Sequence, residues 1–106
     1  MTDFIDLQGV SGASYRFRVW PEGLPHPRIG GNYLYVRRDS GSLTVFRIGE
    51  TDDLSQARAG WPNARRKGAT HVYTRLNVSE QVRVAEHRDL ASSHRRPKRE
   101  ALPTPS

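Results

Sequence analysis

Apolar and polar residues alternate along Tyr15-Arg16-Phe17-Arg18-Val19-Trp20, so that Tyr15, Phe17 and Val19 share one face and Arg16 and Arg18 the other. That two-residue period is the signature of a half-buried strand. Phe4, Ile5 and Leu7 precede it across a Gly9-Val10-Ser11-Gly12 break, which predicts an N-terminal hairpin over residues 3–20. The next segment, with Pro21, Pro25, Pro27 and Gly30-Gly31, cannot sustain a ladder and reads as a loop. NYLYVRR (32–38) and LTVFRI (43–48) then read as two strands joined by the turn formers Asp39-Ser40-Gly41-Ser42.

After Gly49 the period changes. Thr51 or Asp52 is placed to cap a short helix bearing Leu54, Ala57 and Arg58, ended by Gly60. Pro62 and Gly68 bracket a second helical piece, as the end preferences of helices favour. Residues 70–76, THVYTRL, form a further strand, and Asn77 with Glu80 three places on predicts a capped helix over about 79–93. At 100° per residue, with Val78 at zero, Val82, Ala85 and Leu90 fall within about 140° of arc. Glu86 lands inside that arc and His87 on the far side. A carboxylate there needs a salt-bridging Arg or a cation. The succession predicts an α+β fold, a small mainly antiparallel sheet flanked by helices, with residues 1–94 as one domain. Residues 95–106, rich in basic residues and proline, lack periodicity and read as a disordered tail.

Composition narrows the function classes. The 106 residues are 35% hydrophobic and carry 17 Lys+Arg against 11 Asp+Glu, a formal net charge of +6. A polyanion is therefore the first partner class to consider. Half of that excess, however, sits in residues 95–100, where four basic residues face one Glu. The absence of cysteine excludes disulfides, a thiol nucleophile and Cys-ligated metals. No apolar run approaches the roughly 20 residues that span a bilayer, and the start MTDFIDLQG lacks an apolar leader core, so a cytoplasmic protein without a membrane role is expected. His26, His71, His87 and His94 show no paired metal-ligand spacing.

Gly31-Asn32-Tyr33, followed by Arg47-Ile48-Gly49-Glu50-Thr51-Asp52-Asp53-Leu54 and by a late helix with Glu86, resembles the GIY-YIG nuclease superfamily. WPNARRKGATHVYTRLN (61–77) is similar to its small bacterial members, and the likeness covers roughly residues 30–97. The resemblance implies a divalent-metal-dependent phosphodiesterase, in which a first-motif Tyr helps activate water, a helix Arg stabilises the phosphate and a late-helix Glu binds Mg²⁺ or Mn²⁺. Tyr33 matches the first Tyr. The second Tyr position holds Arg47, the family's Arg aligns with Ala57 rather than Arg58, and its Glu aligns with His87 rather than Glu86.

Two expectations follow. If alignment governs, the active site is degenerate and the domain binds a phosphate backbone, DNA or RNA, through Arg37, Arg47, Arg65, Arg66 and Lys67. If local shifts restore the geometry, Tyr33, Arg58 and Glu86 converge in an active endonuclease with Glu86 on the metal. A third reading is a protein-interaction module, with the hairpin over 3–20 pairing its edge with a partner strand or a second copy.

Overall fold

The computed structural model of the chain describes residues 4–21 and 23–94. Five strands, β1 (Phe4–Gln8), β2 (Ser14–Val19), β3 (Gly31–Asp39), β4 (Ser42–Thr51) and β5 (His71–Leu76), form one antiparallel sheet in the order β1-β2-β5-β3-β4. A single 3-10 turn, Leu54–Gln56, and the helix α1 (Trp61–Arg66) lie between β4 and β5, and α2 (Glu80–Ser93) follows β5. The fold is α+β, and none of the described helices is long and apolar enough to cross a membrane. The tail predicted over 95–106 lies outside the described residues.

Alternation along the strands gives the sheet two apolar faces. Trp20, Tyr35 and Val72 pack on one face with Leu54, Ala57, Trp61 and Ala64 of the 3-10 turn and α1. Leu7, Phe17, Leu34, Val36, Val45 and Tyr73 pack on the other with Leu90 of α2. Phe17, Leu34 and Leu90 are fully enclosed, each burial stabilising by about 1.5–3 kcal/mol. The hairpin β1-β2 extends the apolar face that carries α2, and its turn is held to that helix: Ser11 N and Oγ donate to the Asp89 carboxylate at 2.8 and 2.6 Å, and Tyr15 Oη at 2.7 Å. A Cβ at Gly9 would stand 2.1 Å from that carboxylate, so only glycine admits the approach.

Three local expectations are corrected. The piece after Gly49 is one 3-10 turn rather than a helix through Arg58, and its cap is Asp53, whose Oδ1 accepts from Ser55 N. Ser79, not Asn77, caps α2, accepting from Val82 N, because Asn77 is drawn away to Asn32 and Glu86. The predicted arc docks only at its Leu90 end, and Glu86 within it pairs with Arg75 as a carboxylate there requires. Val78 and Val82 are 68% and 46% exposed, and α2 instead buries Arg83 and Leu90. The docking face lies further round the helix because a polar network satisfies it. Arg83 Nε pairs with Glu50 at 2.9 Å and its Nη1 donates to Val78 O, while fully buried Asn32 donates to Arg83 O. Buried polar groups are tolerated when paired in this way.

Candidate functional site

Tyr33 lies on the face of the sheet that carries α1. Its ring crosses β4 directly above Gly49, its register partner, where a Cβ would stand 2.2 Å from Tyr33 Cζ. Glycine at 49 therefore seats the ring, and the family-like Gly31 and Gly49 each have a packing reason to be there: a Cβ at Gly31 would meet Arg75 O at 2.3 Å. The Tyr33 ring leans on Tyr35, with centroids 5.6 Å apart, and Tyr35 Oη donates to Ala57 O. Burial raises the Tyr35 phenol above its ordinary value of 10.0, so it serves as a neutral strut.

A break in register between Tyr35 and Val36 shapes the rest of the cleft. Tyr35 opposes Arg47, and Val36 opposes Val45, which leaves Phe46 as the extra residue of a β-bulge. Strict alternation would send neighbours 46 and 47 to opposite faces. With the bulge, Phe46 and Arg47 both line an open cleft of about 400 Å³ together with Tyr33, Ala57, Asn63 and Lys67. Arg47 Nε points at Tyr33 Oη at 3.4 Å, and this contact raises the already high pKa of the guanidinium, which stays charged. The cleft thus offers two cations, Arg47 from the sheet and Lys67 from the end of α1, beside a phenol and an amide.

The residues expected to converge on Tyr33 do not. Arg58 Nη2 donates to Trp20 O and Pro21 O at 2.7 and 2.8 Å, and its guanidinium lies 3.8 Å from the Trp20 ring centroid. The reason is local: the 3-10 turn leaves Ala57 facing the cleft and Arg58 facing the end of β2. Glu86 is on the opposite face of the sheet. Its Oε1 accepts from Arg75 Nε at 2.9 Å and from Asn77 Nδ2 at 2.8 Å, and Asn77 in turn donates to Asn32. His87, the aligned alternative, also sits on α2 rather than in the cleft, and its Nδ1 is buried without a hydrogen-bond partner among the described residues.

The donor set does not fit the Mg²⁺ or Mn²⁺ that the resemblance implies. Glu86 is committed to a guanidinium and an amide, and among the described residues no three His, Asp or Glu gather as ligands. Arg47 and Lys67 line the cleft, Arg65 and Arg66 are exposed on α1, and Arg37 follows Tyr33 and Tyr35 on the same face. Arg37 Nη1 reaches Gly68 O at 3.3 Å, although its Nε is paired with Asp39. Phe46 and Asn63 were not foreseen as lining residues. No sequence signal marked the bulge, whereas Asn63 shares a helix with the basic cluster and was legible through Pro62 and Gly68. Comparison of the chain with known protein families, with curated proteins and with solved structures found no match.

Proposed function

We propose that this domain binds the phosphate backbone of nucleic acid along the Tyr33 cleft and does not hydrolyse it. The observation that carries the reading is the pairing of Arg47 and Lys67 across one open cleft beside Tyr33, with Ala57 in the place where the nuclease family has its catalytic Arg. Phosphate oxygens accept from guanidinium, ammonium, phenol and amide donors, and all four are present there. The resemblance of Gly31-Asn32-Tyr33 and Arg47-Ile48-Gly49 to GIY-YIG nucleases supports nucleic acid as the polyanion. Hydrolysis by that family's route needs an Arg and a metal-bound Glu at the Tyr hydroxyl, and Arg58 and Glu86 are bonded elsewhere.

The test is fluorescence anisotropy with labelled DNA and RNA oligonucleotides over a salt series. Binding is expected to fall linearly with log salt and to show little sequence preference. Arg47→Ala and Lys67→Ala should each reduce the salt slope by about one. Absent or salt-independent binding overturns the proposal, and Mg²⁺- or Mn²⁺-dependent nicking lost in Tyr33→Phe overturns its non-hydrolytic half.

A further inference from the structure

The face that carries the Tyr33 cleft continues past β5 onto the hairpin. Registers fix the rows: Phe4 opposes Arg18, Arg18 opposes Thr74, Thr74 opposes Tyr33, and Tyr33 opposes Gly49. Arg18 and Tyr33 therefore stand in one line across the sheet, two strand spacings or about 10 Å apart. Between them His26 Nε2 meets Thr74 Oγ1 at 3.0 Å, so the loop after Trp20 crosses the sheet as a ridge. On the far side of that ridge lies a second open groove of about 530 Å³.

Its chemistry is two-fold. Val19, Trp20, Pro27 and Leu76 give it an apolar wall, and Leu76 is 61% exposed although it ends a strand whose other apolar residues are buried. Arginines stand at its margin. Arg16 is partly neutralised by Asp6 at 2.9 Å and Arg75 by Glu86 at 2.9 Å, but no side-chain hydrogen bond or ion pair joins the Arg18 guanidinium to another described residue. A uniformly charged surface would suit any polyanion. An apolar wall beside one uncommitted guanidinium suits a ligand that alternates a flat apolar group with an anionic one, as each nucleotide of an unpaired strand does.

Resting on the reading of the Tyr33 cleft, we propose that this groove holds an unpaired nucleotide of the same strand, its base against Leu76, Pro27 and the His26 ring and its phosphate on Arg18. The chain is then a single-strand binder. At about 3.4 Å per nucleotide, the 10 Å between Arg18 and Tyr33 spans about three stacked nucleotides, which the ridge at His26 interrupts. A duplex presents its bases inward and has nothing to place on the apolar wall.

Anisotropy with a single-stranded 12-mer, the duplex of the same sequence and a poly-glutamate of matched charge tests this, using wild type, Arg18→Ala, Leu76→Ser and Arg47→Ala. All positions are at the surface, and urea unfolding verifies that each variant folds. The single strand should bind at least about tenfold more tightly than the duplex, a difference within the usual worth of stacking one base. Arg18→Ala should lower the salt slope by about one and Leu76→Ser should weaken binding about fivefold without changing the slope. Binding that needs Arg47 but ignores Arg18 and Leu76, or that is equal for duplex or poly-glutamate, overturns the groove and leaves the cleft standing. No salt-dependent binding to any nucleic acid overturns both.

Discussion

Replacing Gly49 by Ala tests the packing that seats Tyr33. The added Cβ would stand 2.2 Å from Tyr33 Cζ, 2.4 Å from its Oη and 2.5 Å from Cε1. Carbon atoms in contact rest at about 3.5–4.0 Å, so the ring must retreat by about 1 Å or more. Tyr33 is only half-buried, so its ring has room to retreat, at the expense of its contacts with Tyr35 and Arg47. Overpacking of this kind costs about 1–3 kcal/mol. In a Tyr33→Ala background the obstruction is gone, and the same change then replaces a strand glycine by a residue of lower unfolded-state entropy, a gain of up to about 0.5–1 kcal/mol. The sign of the Gly49→Ala effect should therefore reverse between backgrounds. Urea unfolding followed by the fluorescence of Trp20 and Trp61 reads it, since an m-value of about 1–3 kcal/mol/M turns a kilocalorie into a resolvable midpoint shift. An equal loss in both backgrounds would mean that Gly49 is required by something other than the Tyr33 ring, and the account of the cleft would be wrong.

Two other predictions follow from the opposite face of the sheet. Glu86→Ala removes the acceptor shared by Arg75 and Asn77 and should cost about 1–3 kcal/mol of stability without weakening nucleic-acid binding, since it frees Arg75 at the margin of the groove. Denaturation and anisotropy on one preparation would check this; lost binding without lost stability would place Glu86 in the site. The Ser11 hydroxyl, then that of Tyr15, holds the Asp89 carboxyl below its ordinary value of 3.8. Stability from this contact is complete above about pH 4 and is lost as pH falls through the lower folded value, so Asp89→Asn should show a smaller drop in urea midpoint between about pH 6 and pH 3 than wild type. An identical drop in both proteins would remove Asp89 from the acid response.

Strands were legible where alternation was strict. Tyr15 to Trp20 and the turn at Asp39–Ser42 set the hairpins with boundaries displaced by one to three residues, because the pattern needs only one buried face and one wet one. Pro62 and Gly68 likewise bounded α1, since the backbone limits of those two residues act locally. Helix facing was not legible for α2. The apolar stripe of Val78, Val82, Ala85 and Leu90 docks only at Leu90, and the helix otherwise packs through Arg83 and Glu86, whose burial depends on partners at Glu50, Arg75 and Asn32 far away in the chain. Capping failed for a related reason: Asn77 has the right side chain for a cap, and a competing pair of partners uses it.

The candidate site divides along the same line. The sequence by itself determined an α+β chain, a Tyr near the start of a hairpin strand, and a basic cluster on a short helix, because alternation, turn chemistry and end preferences are written in neighbouring residues. Only the tertiary structure decided which of those residues meet. The bulge at Phe46 turns Arg47 toward the cleft, the single 3-10 turn leaves Ala57 there and sends Arg58 to the carbonyls of Trp20 and Pro21, and the sheet itself separates Tyr33 from Glu86. A shift of one residue moves a side chain about 100° round a helix and to the opposite face of a strand. Whether such a shift occurs is set by hydrogen bonds and packing between segments distant in sequence, which no local pattern records.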